Sequence, residues 1–126
     1  MESILLVEDS KFLRMASERV LVRAGYKVFS TGDGEEALRL ALERMPDLIL
    51  LDLLLPKLGG PEVLRELKNN PMTARIPVVV LSSLSQQNET KLKRDGAVAY
   101  LEKSSLNFDI EGHALLEAVR KALVHA

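Results

Sequence analysis

Short apolar runs punctuate this chain, and polar residues cut each of them off. Ile4-Leu5-Leu6-Val7 closes on Glu8 and Asp9, Leu48-Ile49-Leu50-Leu51 on Asp52, and Val78-Val79-Val80-Leu81 on Ser82 and Ser83. A continuous apolar run, as opposed to an alternating one, predicts a strand covered on both faces. Residues 26–30 predict a weaker strand. Residues 97–101 predict a fifth, followed by Glu102 and Lys103.

Helical spacing fills the intervals. Residues 11–24 predict a helix with Leu13, Ala16, Val20 and Ala24 inward and Gly25 as its stop. Asp33 can cap a second helix, Glu36 three residues on resembles a capping box, and Pro46 ends it. Its apolar face is Leu38, Ala41, Leu42 and Met45. Pro56 and Gly59-Gly60 mark a loop, and Pro61 suits the first position of a third helix carrying Leu64 and Leu67 inward. Residues 85–95 predict a fourth helix in which Leu92 is nearly the only apolar side chain. A last one presents Leu115, Leu116, Val119, Ala122 and Leu123. Five strands, each followed by a helix, predict an α/β domain with a parallel sheet covered on both faces. With no linker or repeat, residues 1–126 read as one domain without an output module.

Composition narrows the function. The chain has no cysteine, which excludes disulfides, thiolate metal sites and thiol nucleophiles. Seventeen basic against 18 acidic residues leave a formal charge of −1, so nothing advertises a nucleic-acid partner. The absence of tryptophan argues against base-stacking platforms. Glu2 and Asp9 interrupt any secretory signal, and the apolar stretch 48–55 contains Asp52 and is too short for a bilayer. The expectation is a cytoplasmic protein with no membrane contact.

The informative pattern is positional. Glu8 and Asp9, Asp52, Ser82 and Lys103 stand at the carboxyl ends of the first, third, fourth and fifth predicted strands. In an open parallel sheet those ends share one edge, where ligands bind at the switch in strand order. Three carboxylates held together repel one another unless a cation joins them. With only hard oxygen ligands on offer, the natural ion is Mg²⁺. A carboxylate beside Mg²⁺ can accept a phosphoryl group, with Lys103 and the Ser82 hydroxyl stabilising its charge. Singly, each residue has a plainer role. Glu8-Asp9 can cap a helix, Asp52 can open a turn, Ser82 can bond nearby backbone and Lys103 can be solvated. Their joint alignment carries the reading. His113 and His125, and the basic residues Lys91, Lys93, Arg94, Arg120 and Lys121, read as surface.

These residues resemble, over essentially the whole chain, the receiver domain of two-component response regulators. The resemblance rests on Glu8-Asp9 after an apolar strand, Asp52 in Leu-Leu-Asp-Leu-Leu-Leu-Pro with Gly60 four residues beyond Pro56, Ser82 ending Val-Val-Val-Leu-Ser-Ser, and Lys103 after Tyr-Leu-Glu. It implies a doubly wound, flavodoxin-like sheet of order 2-1-3-4-5. It implies Asp52 as phosphoacceptor, Asp9 as a direct Mg²⁺ ligand, Glu8 acting through water or as a second acid, and the Leu54 carbonyl as a further ligand. Lys103 would pair with the acceptor, Ser82 would move toward the phosphoryl oxygens, and Tyr100 would turn inward after it. The donor would be a phosphohistidine on a sensor histidine kinase or phosphotransfer protein. The readout would be the face of the fourth helix, fifth strand and fifth helix, presented to a downstream protein or detached output domain, with phosphorylation-dependent dimerisation possible. Such a module is not an enzyme beyond its own phosphorylation and dephosphorylation.

Two departures stand out. Ser104 follows Lys103 where the family usually has a cis proline, and a cis bond before serine costs about 2.5–4 kcal/mol, so a trans bond is expected. Leu54 and Leu84, two residues beyond Asp52 and Ser82, are apolar where the family's attacking water passes, which predicts slow hydrolysis of the phospho-form. Among other functions, a Mg²⁺-dependent phosphatase is disfavoured by Leu54, where such hydrolases place a second acid. A flavin module is disfavoured by the acidic loop Glu8-Asp9-Ser10-Lys11. A docking scaffold independent of phosphorylation is the remaining alternative.

Overall fold

The computed structural model describes residues 1–82, 89–103 and 112–124, with the side chains of residues 89, 90 and 92 left out. Along the chain run β1 (Ser3–Val7), α1 (Lys11–Arg23), β2 (Lys27–Thr31), α2 (Gly34–Arg44) and β3 (Leu48–Asp52). Then follow α3 (Gly60–Asn69), β4 (Val78–Ser82), α4 (Glu89–Arg94), β5 (Ala99–Glu102) and α5 (His113–Val124). The strands form one parallel sheet in the order β2-β1-β3-β4-β5. The connection from β2 returns past β1 to place β3 on its far side, so the switch in direction falls between β1 and β3.

Side chains alternate across a strand, so a wholly apolar strand feeds two cores. Leu5, Val7, Ile49, Leu51, Val78, Val80 and Tyr100 face one side, against Ala37, Ala41, Val63, Leu64 and Leu67 of α2 and α3. Ile4, Leu6, Leu48, Leu50, Val79 and Leu81 face the other, against Val20 and Leu21 of α1 and Leu115, Val119 and Ala122 of α5. Each such aliphatic side chain contributes about 1.5–3 kcal/mol on burial, which makes the three central strands the anchor of the fold.

The helix starts follow their caps. Ser10 Oγ accepts the Leu13 N–H at 3.3 Å, and Asp33 Oδ1 accepts the Glu36 N–H at 2.7 Å. The reciprocal half of the expected capping box is not made; the Asp33 N–H donates to Thr31 Oγ1 at 3.3 Å. Pro61 is the second helical residue and not the first, because Gly60 occupies the first turn with its backbone against β3.

Several inward faces differ from expectation. Ala24 is exposed, and α1 packs through Ser17, Val20 and Leu21. Leu42 and Met45 of the α2 segment are also exposed, and Gly34, Ala37 and Ala41 line its contact instead. Small residues let α2 approach closely, and that rotates its bulkier neighbours outward. The predicted inward residues of α3 and α5 are found buried or half-buried. Ser83, Leu84, Ser104, His125, the predicted start of α4 at residue 85 and the packing of Leu92 lie outside the described residues.

Candidate functional site

Strand register assembles the site. Val7 of β1 pairs with Leu51 of β3, so Glu8 and Asp52 emerge side by side at the carboxyl edge. Ser82 pairs with Glu102 across β4 and β5, which delivers Lys103 to the same edge. Lys103 Nζ lies 2.8 Å from Glu8 Oε1 and 3.1 Å from Asp52 Oδ2. Both acids are almost wholly buried, their side chains 3% and 4% exposed, and that of Lys103 is 16% exposed. Ser82 is buried at the end of β4, and Tyr100 packs inward beneath it on β5.

The backbone holds these acids from behind. The Ser10 N–H donates to Glu8 Oε2 at 3.0 Å, and the Leu54 N–H donates to Asp52 Oδ1 at 3.2 Å. The Glu8 N–H donates to the Thr31 carbonyl at 3.0 Å, tying the turn after β1 to β2. Arg14 Nη1 donates to the Glu8 carbonyl at 2.8 Å and approaches the Asp9 carbonyl at 3.4 Å. Sequence reasoning missed Arg14. Its signal was a cation near the N-terminus of a helix with no acid in its first turn, a place the helix dipole disfavours unless a partner is at hand.

Among the described residues no three acidic or histidine side chains converge as a metal-binding group. Glu8 turns inward to Lys103, whereas Asp9 is exposed at the rim. The reason is local: Glu8 has an ammonium and a backbone N–H waiting inside, and Asp9, one residue on, leaves the strand on the solvent side.

The electrostatics leave the pocket short of positive charge. One ammonium faces two buried carboxylates, and an unmatched buried charge is costly. Burial pushes the Glu8 carboxyl above its ordinary 4.5, with the Asp52 carboxylate adding to the shift against the bonds from Lys103 and Ser10. For Lys103 burial acts downward, but the bonds to Glu8 and Asp52 outweigh it and hold the ammonium above its ordinary 10.5. This donor set suits a hard divalent cation. Mg²⁺ needs only one or two carboxylates, keeps several waters, and would balance the excess negative charge.

A buried aspartate ending the central strand, an inward acid on the neighbouring strand and a lysine bridging both make up the site. The chain belongs to the response regulator receiver domain family, which it matches over residues 4–120. It is 38% identical over 104 residues to the polar-differentiation response regulator DivK of Brucella anthropi, covering 81% of this chain and 84% of that one. It is 43% identical over 114 residues to the gliding motility regulatory protein of Myxococcus xanthus, covering 89% of this chain but 14% of that much longer protein. Among solved structures it resembles the phosphorylated cyanobacterial phytochrome response regulator RcpA. There the TM-score is 0.85 and the identity 32%, over 99% of this chain and 96% of that one. It also resembles the receiver domain of a sensor histidine kinase from Pseudomonas aeruginosa, described with a magnesium ion coordinated in its active site cleft. That TM-score is 0.84 and the identity 29%, over 97% of each chain. The chain is thus a receiver domain of the two-component class, a signalling module. No helix among the described residues is long and apolar enough to cross a membrane.

Proposed function

We propose that Asp52 accepts a phosphoryl group from a phosphohistidine on a sensor histidine kinase or phosphotransfer protein, with Mg²⁺ as cofactor. The observation that carries this is Lys103 Nζ within 3.1 Å of Asp52 Oδ2 in a pocket where two buried carboxylates outnumber it. An Asp52 carboxylate oxygen attacks phosphorus, the P–O bond forms as the donor's P–N bond breaks, and the departing imidazole nitrogen takes a proton from water. Lys103 releases Asp52 and follows the negative charge onto the phosphoryl oxygens. Glu8, Asp9, Asp52 and the Leu54 carbonyl would hold the cation, which supplies charge neutralisation on the transferring group. Ser82 offers a hydroxyl on the opposite side.

The consequence is a shift of the α4–β5–α5 face. Within α4 the sequence offers only Leu92 as an apolar side chain, so it supplies little apolar surface to hold the helix in place. Beside it an open groove of about 520 Å³ runs between β5 and α5, lined by Val98, Ala99, Leu101, Ala114, Ala118 and Lys121 among others. Tyr100 lies on the strand joining pocket and groove, and it is proposed as the switch that follows Ser82. A downstream protein or detached output domain would read that face.

Intact-mass spectrometry after incubation with acetyl phosphate, with and without Mg²⁺, tests this reading. The expected result is a gain of one phosphoryl group that requires Mg²⁺ and vanishes in Asp52→Asn. No gain on folded protein overturns it in favour of a docking scaffold.

A further inference from the structure

We infer that Arg14, seated on Gly32, is a positioning residue that sets the turn carrying Glu8 and Asp9 for cation binding. The inference rests on the Mg²⁺ reading above and assigns a part to a residue outside the acid–lysine set. Arg14 Nη1 donates to the Glu8 carbonyl at 2.8 Å and lies 3.4 Å from the Asp9 carbonyl, so one guanidinium nitrogen touches the peptide units of both acids. It acts on the backbone and not on the carboxylates. Its bonds therefore fix the peptide from which Glu8 turns in and Asp9 turns out, without engaging either carboxylate.

The seat for this guanidinium is the turn after β2. A β-carbon added at Gly32 would stand 2.9 Å from Arg14 Nη1 and 3.7 Å from the Glu8 carbonyl oxygen. The absence of a side chain at Gly32 therefore makes room for the Arg14 tip over the Glu8 carbonyl. Arg14 and Gly32 together clamp the β1–α1 turn against the β2–α2 turn. The Glu8 N–H bond to the Thr31 carbonyl closes the same junction from the other side. Groups that orient metal ligands without touching the ion typically govern affinity by 10- to 100-fold.

Two effects of Arg14 oppose each other, and the experiment reads their sign. As a nearby cation it repels Mg²⁺; as a clamp it pre-orders the ligand turn. If positioning dominates, its removal weakens Mg²⁺ binding. If charge dominates, removal tightens it.

The test is a MgCl₂ titration of the ¹⁵N-labelled full chain, following amide shifts around Glu8, Asp9 and Asp52. It uses wild type, Arg14→Ala, Gly32→Ala and the double variant, with thermal melts alongside. Arg14→Ala is expected to weaken Mg²⁺ binding by about tenfold or more. Gly32→Ala, which keeps every acid and Arg14 itself, is expected to weaken binding in the same direction by crowding the guanidinium. The double variant is expected to be no weaker than Arg14→Ala alone, because the added methyl then has nothing to displace. Unchanged or tighter binding in Arg14→Ala overturns the inference, as does a Gly32→Ala effect that persists in full without Arg14. Should Arg14→Ala fail to fold, normal Mg²⁺ affinity in Gly32→Ala overturns it. Wild type showing no Mg²⁺-dependent shifts in these turns overturns the cation reading, and this inference with it.

Discussion

The β-carbon that Gly60 lacks would stand 2.5 Å from the carbonyl oxygen of Asp52. The first residue of α3 is thus pressed directly onto the backbone of Asp52, and the Gly60 N–H donates to the Leu53 carbonyl at 3.0 Å. Neither partner in this contact is a flexible side chain, so the contact cannot be relieved by a rotamer change. Gly60→Ala is expected to destabilise the fold by about 1–3 kcal/mol and to slow phosphorylation by acetyl phosphate. Urea denaturation and the rate of mass gain measure the two effects separately, and an unaltered rate would show that Asp52 is insulated from α3.

Lys103 is the counter-charge of a buried acid pair, which sets the cost of removing it. Lys103→Met is expected to lose about 3–5 kcal/mol near pH 7, because two carboxylates are left facing each other. Part of that loss returns in Glu8→Gln/Lys103→Met. The pH sense follows from the directions of the shifts. Lys103 is held above 10.5, so its contribution is complete below that pH and fades as pH climbs through its folded value. The raised Glu8 carboxyl makes the folded chain the stronger proton binder above pH 4.5, so stability falls as pH rises through its folded value. Denaturation curves of Glu8→Gln should lack that fall; if they retain it, Glu8 is not its source.

Lys68 is a second half-buried cation, distant from the acids in sequence. Its Nζ donates to the Ala74 carbonyl at 3.0 Å and the Ile76 carbonyl at 2.7 Å, bracing the loop that leads into β4. Lys68→Met is expected to cost about 1–3 kcal/mol by leaving those carbonyls without this donor. Burial holds the Lys68 ammonium below 10.5, so the unfolded chain binds more protons between the folded value and 10.5, and stability rises with pH across that interval. The difference between wild type and Lys68→Met, measured by urea titration in alkaline buffers, should carry that slope.

Leu54 is 58% exposed beside Asp52, with no group able to orient a water. Leu54→Asn is expected to shorten the half-life of the phospho-form by about tenfold, the effect of one new hydrogen bond of roughly 1.4 kcal/mol to the attacking water. Decay of the phosphorylated mass after donor removal gives the rate. Equal lifetimes would assign the control of hydrolysis elsewhere.

Much of this architecture is legible in the residues because both cores draw on unbroken apolar strands. A run such as Leu48 to Leu51 has no other economical place in a small domain, and the polar residue that ends it marks the edge where function gathers. The doubly wound order came from family resemblance, and the sheet bears it out. Less legible is what depends on a single rotation. Glu8 and Asp9 are equivalent acids in sequence, and only the position of Lys103 and the Ser10 N–H decides which one turns in. Leu42 and Met45 are as apolar as Ala41, yet the close seating of Gly34 under the Leu58 carbonyl brings the small residues inward. Arg14 escaped notice because its partners are backbone carbonyls, which a sequence does not display.

Lys103 and Glu8 are 95 residues apart in the chain yet share a hydrogen bond, and this gives the pocket a temporal order. Synthesis delivers both acids early, Glu8 on the first strand and Asp52 on the third, while their ammonium arrives only after the fifth. Until β5 docks against β4, the growing sheet carries two like charges with nothing between them. A chain stalled before residue 103 could form much of the core but would lack the cation its acids need. The charge balance of the pocket therefore arrives only with β5, the strand that finishes the sheet.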